Sequence, residues 1–151
     1  MRLYQHMAVS GIISAGVYAA SRSMVIAGTS FLAGFLIDLD HIIDYWLSHP
    51  WRFNLRHFFV TCHEYRLKSI YLFLHSWELI IMLCLLAYVS RNGVVLGLML
   101  GFVQHLALDQ IFNYVYPAGY FFIYRWRVGF RCDAVFEIPH AFREAGNDGG
   151  H

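Results

Sequence analysis

Residues 24–47 read MVIAGTSFLAGFLIDLDHIIDYWL, and this stretch decides the fold. Its first part is apolar and small-residued, and the whole is long enough for a membrane span, which takes roughly 20 such residues. Its last third, Ile37-Asp38-Leu39-Asp40-His41-Ile42-Ile43-Asp44, turns polar on one side. Ionisable groups at membrane depth are expensive, so they face one another or a water-filled cavity and mark functional sites. Gly28, Ala33 and Gly34 sit upstream, small residues that let helix backbones approach closely.

Working outward, three more apolar segments follow the same logic: 3–20, 69–90 and 93–116. Ser21-Arg22-Ser23 and Arg91-Asn92-Gly93 join them in pairs as tight turns. Pro117 ends the last segment. The expectation is an all-α, polytopic membrane protein: a bundle of four transmembrane helices with interfacial segments. One such segment is 48–68, where Arg52, Arg56, Arg66 and Lys68 alternate with Trp51, Phe53, Phe58 and Phe59; another is 120–127. A single helical domain is expected over 1–140, with a disordered polar, Gly-rich tail over 141–151.

Composition agrees with a bilayer environment. Of 151 residues 58% are hydrophobic, 18% aromatic and only 14% charged, and mean hydropathy is +0.47. Soluble domains carry about a quarter charged residues. The net charge of +1 carries little meaning as a total, and no nucleic-acid partner is expected. Its distribution says more. With four spans, Arg2, Arg52, Arg56, Arg66, Lys68, Arg125, Arg127, Arg131 and Arg143 fall on one side, against Arg22 and Arg91 on the other. The positive-inside rule then makes both termini cytoplasmic. Residues 1–21 could alternatively be a cleaved signal peptide, although the early charge is only Arg2 and small polar residues interrupt the apolar run. Cys62, Cys84 and Cys132 have no CxxC spacing and imply neither a disulfide framework nor a thiolate metal site.

Depth and spacing organise the ionisable residues. At 1.5 Å of rise per residue, His6, the Asp38–His41 group, His75, Glu78, His105 and Asp109 all fall in the cytoplasmic half of the bilayer. Asp38 and His41, and His75 and Glu78, are three apart; His105 and Asp109 are four apart, spacings that share a helix face. Bundles build metal sites from such pairs on facing helices. Imidazole mixed with carboxylate suits zinc, with manganese or iron as alternatives. The candidate ligands are His6, Asp38, His41, His75, His105 and Asp109, for one or two ions. Asp40, Asp44 and Gln104 are candidate supports, with Asp40 equally a candidate ligand, and Ser76 is a hydrogen-bonding neighbour. Buried His–Asp pairs also serve as plain interhelical hydrogen bonds, and that reading stays open. His49, His57, His63 and His140 are expected to be solvated at the interface, with substrate contact a minor alternative for His57 and His63.

These residues also carry a family resemblance. Asp38-Leu39-Asp40-His41, His75-Ser76 and Gly101-x-x-x-His105-x-x-x-Asp109, with His6 ahead and Pro117-Ala118-Gly119 behind, resemble the motifs of the bacterial membrane-bound metal-dependent hydrolases. Ile37 stands where that family has Pro. Ile70-Tyr71-Leu72-Phe73-Leu74 stands where the family's His-Arg-Gly element would precede His75, and Glu78 is a candidate replacement for the lost group. The family is distantly similar to zinc-dependent phospholipase C, which implies phosphoester hydrolysis.

The expected function is therefore metal-dependent hydrolysis of a lipid-linked or amphiphilic (phospho)ester from the cytoplasmic side. Glu78 or Asp40 would be the general base, and Arg52, Arg56 and Arg125 would neutralise a headgroup phosphate. Two rivals remain: a non-catalytic scaffold held by His–carboxylate pairs, and an ion or proton transporter. The second needs polar groups through the full bilayer depth.

Overall fold

In a computed structural model the described residues are 3–49, 54–64, 67 and 69–137. Arg2, Arg52, Arg66, Lys68, His140, Arg143 and the tail over 141–151 lie outside them. The fold is all-α, with no strand among the described residues, only the isolated bridges Ser69–Arg131 and Val115–Phe136. In chain order come α1 (Leu3–Ser21), α2 (Met24–Leu36), a 3-10 turn (Ile37–Leu39), α3 (Asp40–Ser48), α4 (Leu55–His63), α5 (Trp77–Ser90), α6 (Gly93–Phe112), α7 (Phe122–Arg127) and α8 (Cys132–Val135).

Among the described residues two stretches, not four, are long and apolar enough to cross a membrane: Met24–Ser48 and Gly93–Phe112. α1 has the length, but Gln5, His6, Ser10 and Ser14 dilute its apolar character. α5 is too short, at 14 residues. The third apolar segment was expected to be helical from Ser69, yet the helix opens only at Trp77. Ser76 causes this: its extended backbone and its side chain, accepting from the Leu79 N–H, make it an N-cap.

The chain forms two compact units. One comprises Met1–Asp38 with Leu74–Asn113. Within it α2 packs along α6, α1 lies on α2, and α5 lies on α6. Glycine sets the α2–α6 approach. A Cβ at Gly97 would strike the Thr29 side chain and the Ile26 carbonyl; one at Gly101 would strike Ala33 and the Ser30 carbonyl. Small residues four apart on one face are how membrane helices gain close van der Waals contact. Of the small residues on α2, Ala33 and Gly34 are at this contact, whereas Gly28 faces open space. Both hairpin turns use a left-handed residue followed by a cap: Arg22 then Ser23, and Arg91 then Asn92, whose side chain accepts from the Val94 and Val95 N–H groups.

The other unit comprises Leu39–Phe73 with Tyr114–His151. Tyr45 is its buried centre on α3, with its hydroxyl 2.9 Å from His57 Nδ1 and its ring edge-on to Phe58. Asp44 accepts the Tyr71 N–H at 3.0 Å and the Leu72 N–H at 3.2 Å. Arg125 is fully buried and donates to the Leu72 carbonyl at 2.9 Å and the Gly119 carbonyl at 3.1 Å. Leu72 has a left-handed backbone, φ 44°, so a buried carboxylate and a buried guanidinium grip one unusual turn from its donor and acceptor sides. Such charged hydrogen bonds are the strong ones.

Candidate metal centre

Five of the expected ligands converge within the first unit. α6 supplies His105 and Asp109, one turn apart on its buried face. α1 supplies His6 from its first turns, the 3-10 turn after α2 supplies Asp38, and the segment before α5 supplies His75. His6, His75, His105 and Asp109 are fully buried; the Asp38 side chain is 21% exposed.

Four donor atoms lie close together around the two imidazole nitrogens. His75 Nε2 and His105 Nε2 are 3.2 Å apart. His105 Nε2 is 3.3 Å from Asp38 Oδ1 and 3.4 Å from Asp109 Oδ2. His75 Nε2 is 3.6 Å and 3.9 Å from the same two oxygens. Around an ion with nitrogen and oxygen donors at about 2.0–2.2 Å, tetrahedral ligands stand roughly 3.3–3.6 Å from each other. The observed edges bracket that range. Asp109 turns its second oxygen to His6 Nε2, 3.0 Å away, and the His6 ring stacks on His105 with centroids 4.0 Å apart. His6, Asp38, His105 and Asp109 also bring one donor each within 4.8 Å of one another.

Tautomer chemistry sharpens the point. His105 Nδ1 is 2.9 Å from the Gly34 carbonyl, which can only accept, so Nδ1 carries the proton. A neutral His105 then offers its Nε2 lone pair to the cluster, the arrangement that support by a carbonyl imposes on a ligating histidine. Its neighbours there are another imidazole nitrogen and two carboxylate oxygens, all electron-rich. A proton on His75 Nε2 or on a carboxyl group would satisfy that lone pair, and so would a metal ion. Two carboxylates supply the charge that offsets a divalent ion.

His41 and Asp40 belong to α3 in the second unit, Asp40 buried and His41 half-buried. Glu78 is in the first turn of α5 and accepts a 2.7 Å hydrogen bond from Ser76 Oγ. That is a capping arrangement, favourable to a carboxylate at a helix N-terminus. His75 and Glu78 therefore do not share a helix face, because His75 precedes the cap. Asp44 holds backbone N–H groups of Tyr71 and Leu72, and Gln104 donates to the Ser30 carbonyl at 3.3 Å. Arg56 is exposed on α4, Arg125 is enclosed among backbone carbonyls, and Arg52 is outside the described residues. The supporting role of the Gly34 carbonyl was not legible in the sequence, since a backbone acceptor leaves no residue-type signal. No protein family, curated protein or solved structure matches this chain.

Proposed function

We propose that the chain is a membrane-embedded, metal-dependent hydrolase of a lipid-linked or amphiphilic ester, with a phosphoester preferred. The observation that carries this reading is the set of donor–donor distances among His75, His105, Asp38 and Asp109, which fits a four-ligand zinc-sized site. The resemblance to the bacterial membrane-bound metal-dependent hydrolases supports it, as five of the seven histidines and aspartates quoted for that likeness (His6, Asp38, His75, His105 and Asp109) are the ones that converge. Asp38 is the one partly exposed member, so water and substrate would approach from its side. His6 would orient Asp109 through its second oxygen, as partners of ligating carboxylates do. The ion would supply an activated water and offset charge on a phosphoryl oxygen.

Support for the bilayer is of a different kind. α5 buries only Ile80 and exposes Ile81, Met82, Leu85, Leu86, Tyr88 and Val89. A helix apolar all round belongs in a protein core or a membrane. Cytoplasmic termini follow from the arginine and lysine asymmetry of the chain, and a bacterial inner membrane is what the family resemblance implies.

Elemental mass spectrometry of detergent-purified protein tests the metal. Stoichiometric zinc, manganese or iron is expected in the wild type, and at least a tenfold loss, about the lower end for removing metal-site groups, in a still-folded His105→Ala/Asp109→Ala variant. Metal-free wild type after reloading would leave the cluster as a protonated structural contact and favour the scaffold reading.

A further inference from the structure

The inner face of α1 is a line of polar side chains. Its buried residues are His6, Ser10 and Ser14, four apart and so stacked on one face over roughly 12 Å. Ser30 on α2 and Gln104 on α6 are buried in the same unit. Gly34 ties the three helices together there: a Cβ on it would meet both the Ser10 hydroxyl and the Gln104 amide.

These polar atoms lack protein partners. Ser10 Oγ, Ser14 Oγ, Ser30 Oγ, Gln104 Oε1 and His6 Nδ1 are fully enclosed and without a hydrogen bond. Helical hydroxyls elsewhere in the chain behave differently. Thr29, Ser48 and Ser90 each close onto the carbonyl four residues back, at 2.7, 2.9 and 2.6 Å. The seam serines forgo that bond, which is the usual refuge of a hydroxyl inside a helix. Buried polar groups left over by the protein are ordinarily satisfied by ordered water making two to four hydrogen bonds.

We infer that the seam from His6 through Ser10 and Ser14, flanked by Ser30 and Gln104, is a binding site for a short file of ordered water inside the helical unit. The water would accept from the serine hydroxyls, donate to Gln104 Oε1, and pair with His6 Nδ1. This hydration stands independently of the metal reading. If that reading also holds, the file ends beside Asp109 and keeps solvent within reach of a hydrolytic centre buried among apolar helices.

Water-edited solid-state NMR on isotope-labelled, lipid-reconstituted full-length protein tests this. Magnetisation from water is expected to reach Ser10, Ser14 and Ser30 several-fold faster than Ala27 and Ala33, which are buried apolar residues of α2. Equal, slow transfer to serines and alanines would overturn the proposal. Ser10→Val, which fills the seam, is expected to cut transfer to Ser14 and Ser30; undiminished transfer in a folded variant would also count against it. Should that variant not fold, Ser14→Ala is expected to leave Ser10 and Ser30 hydrated, and the wild-type comparison decides alone. Metal content measured on the same sample separates the two ideas: slow transfer with metal retained defeats only the seam, and fast transfer without metal defeats only the metal centre.

Discussion

The Gly34 carbonyl fixes the proton of His105 on Nδ1, so the Nε2 lone pair faces His75, Asp38 and Asp109. A buried charge left without a partner is strongly destabilising, so protons on these groups or a bound metal ion must balance the cluster. Cys132 illustrates the opposite outcome. Burial, reinforced by the negative charges of Asp133 and Asp44, pushes its thiol up from 9.0 to about 12. A thiol held protonated is a poor nucleophile. At pH 8 a maleimide should label half-buried Cys62 in the native protein and label Cys132 only after unfolding, as read by mass spectrometry. Because the folded value is raised, the folded state is favoured by protonated Cys132 below pH 9.0 and loses that advantage as pH rises toward about 12. Stability should therefore fall over that window, and Cys132→Ala should flatten the fall.

At the scale of elements, α6 does most of the positioning. Gly97 and Gly101 let it lie against α2, and the same helix carries His105 and Asp109 one and two turns further on. Replacing Gly101 with Leu would drive a side chain into Ala33 and the Ser30 carbonyl and separate the two helices. Overpacking of this sort costs about 1–3 kcal/mol or more. It should also lengthen the bond from His105 to the Gly34 carbonyl, so the variant is expected to lose both thermal stability and metal, whereas Gly28→Ala, at a site facing open space, should lose neither. The helix spacing of His105 and Asp109 was legible in the sequence because both residues belong to one uninterrupted helix. The His75–Glu78 spacing misled, since Ser76 starts a helix between them and a capping serine outweighs an apolar pattern.

For the molecule as a whole the governing question is solvent. Long exposed apolar stretches on α5 and at the end of α6, including Ile111 and Phe112, have no place on a soluble monomer unless another surface covers them. With Met24–Ser48 and Gly93–Phe112 able to span a bilayer, the protein should stay with the membrane fraction through a high-salt, urea wash and be released only by detergent. Release by the wash would sink the membrane reading.

Apolar composition, the helix class, both hairpin turns and the identity of the clustered histidines and aspartates follow from the sequence by itself, because each is written in local residue types and spacings. The start of α5 at Trp77, which leaves that helix too short to span a membrane, was decided only by tertiary structure. So was the enclosure of Arg125, whose charge suggested a headgroup contact until its two carbonyl partners were seen. The physical reason is the same in each case. Caps, backbone carbonyls and buried acceptors come from residues distant in the chain, and no local pattern records which of them will meet.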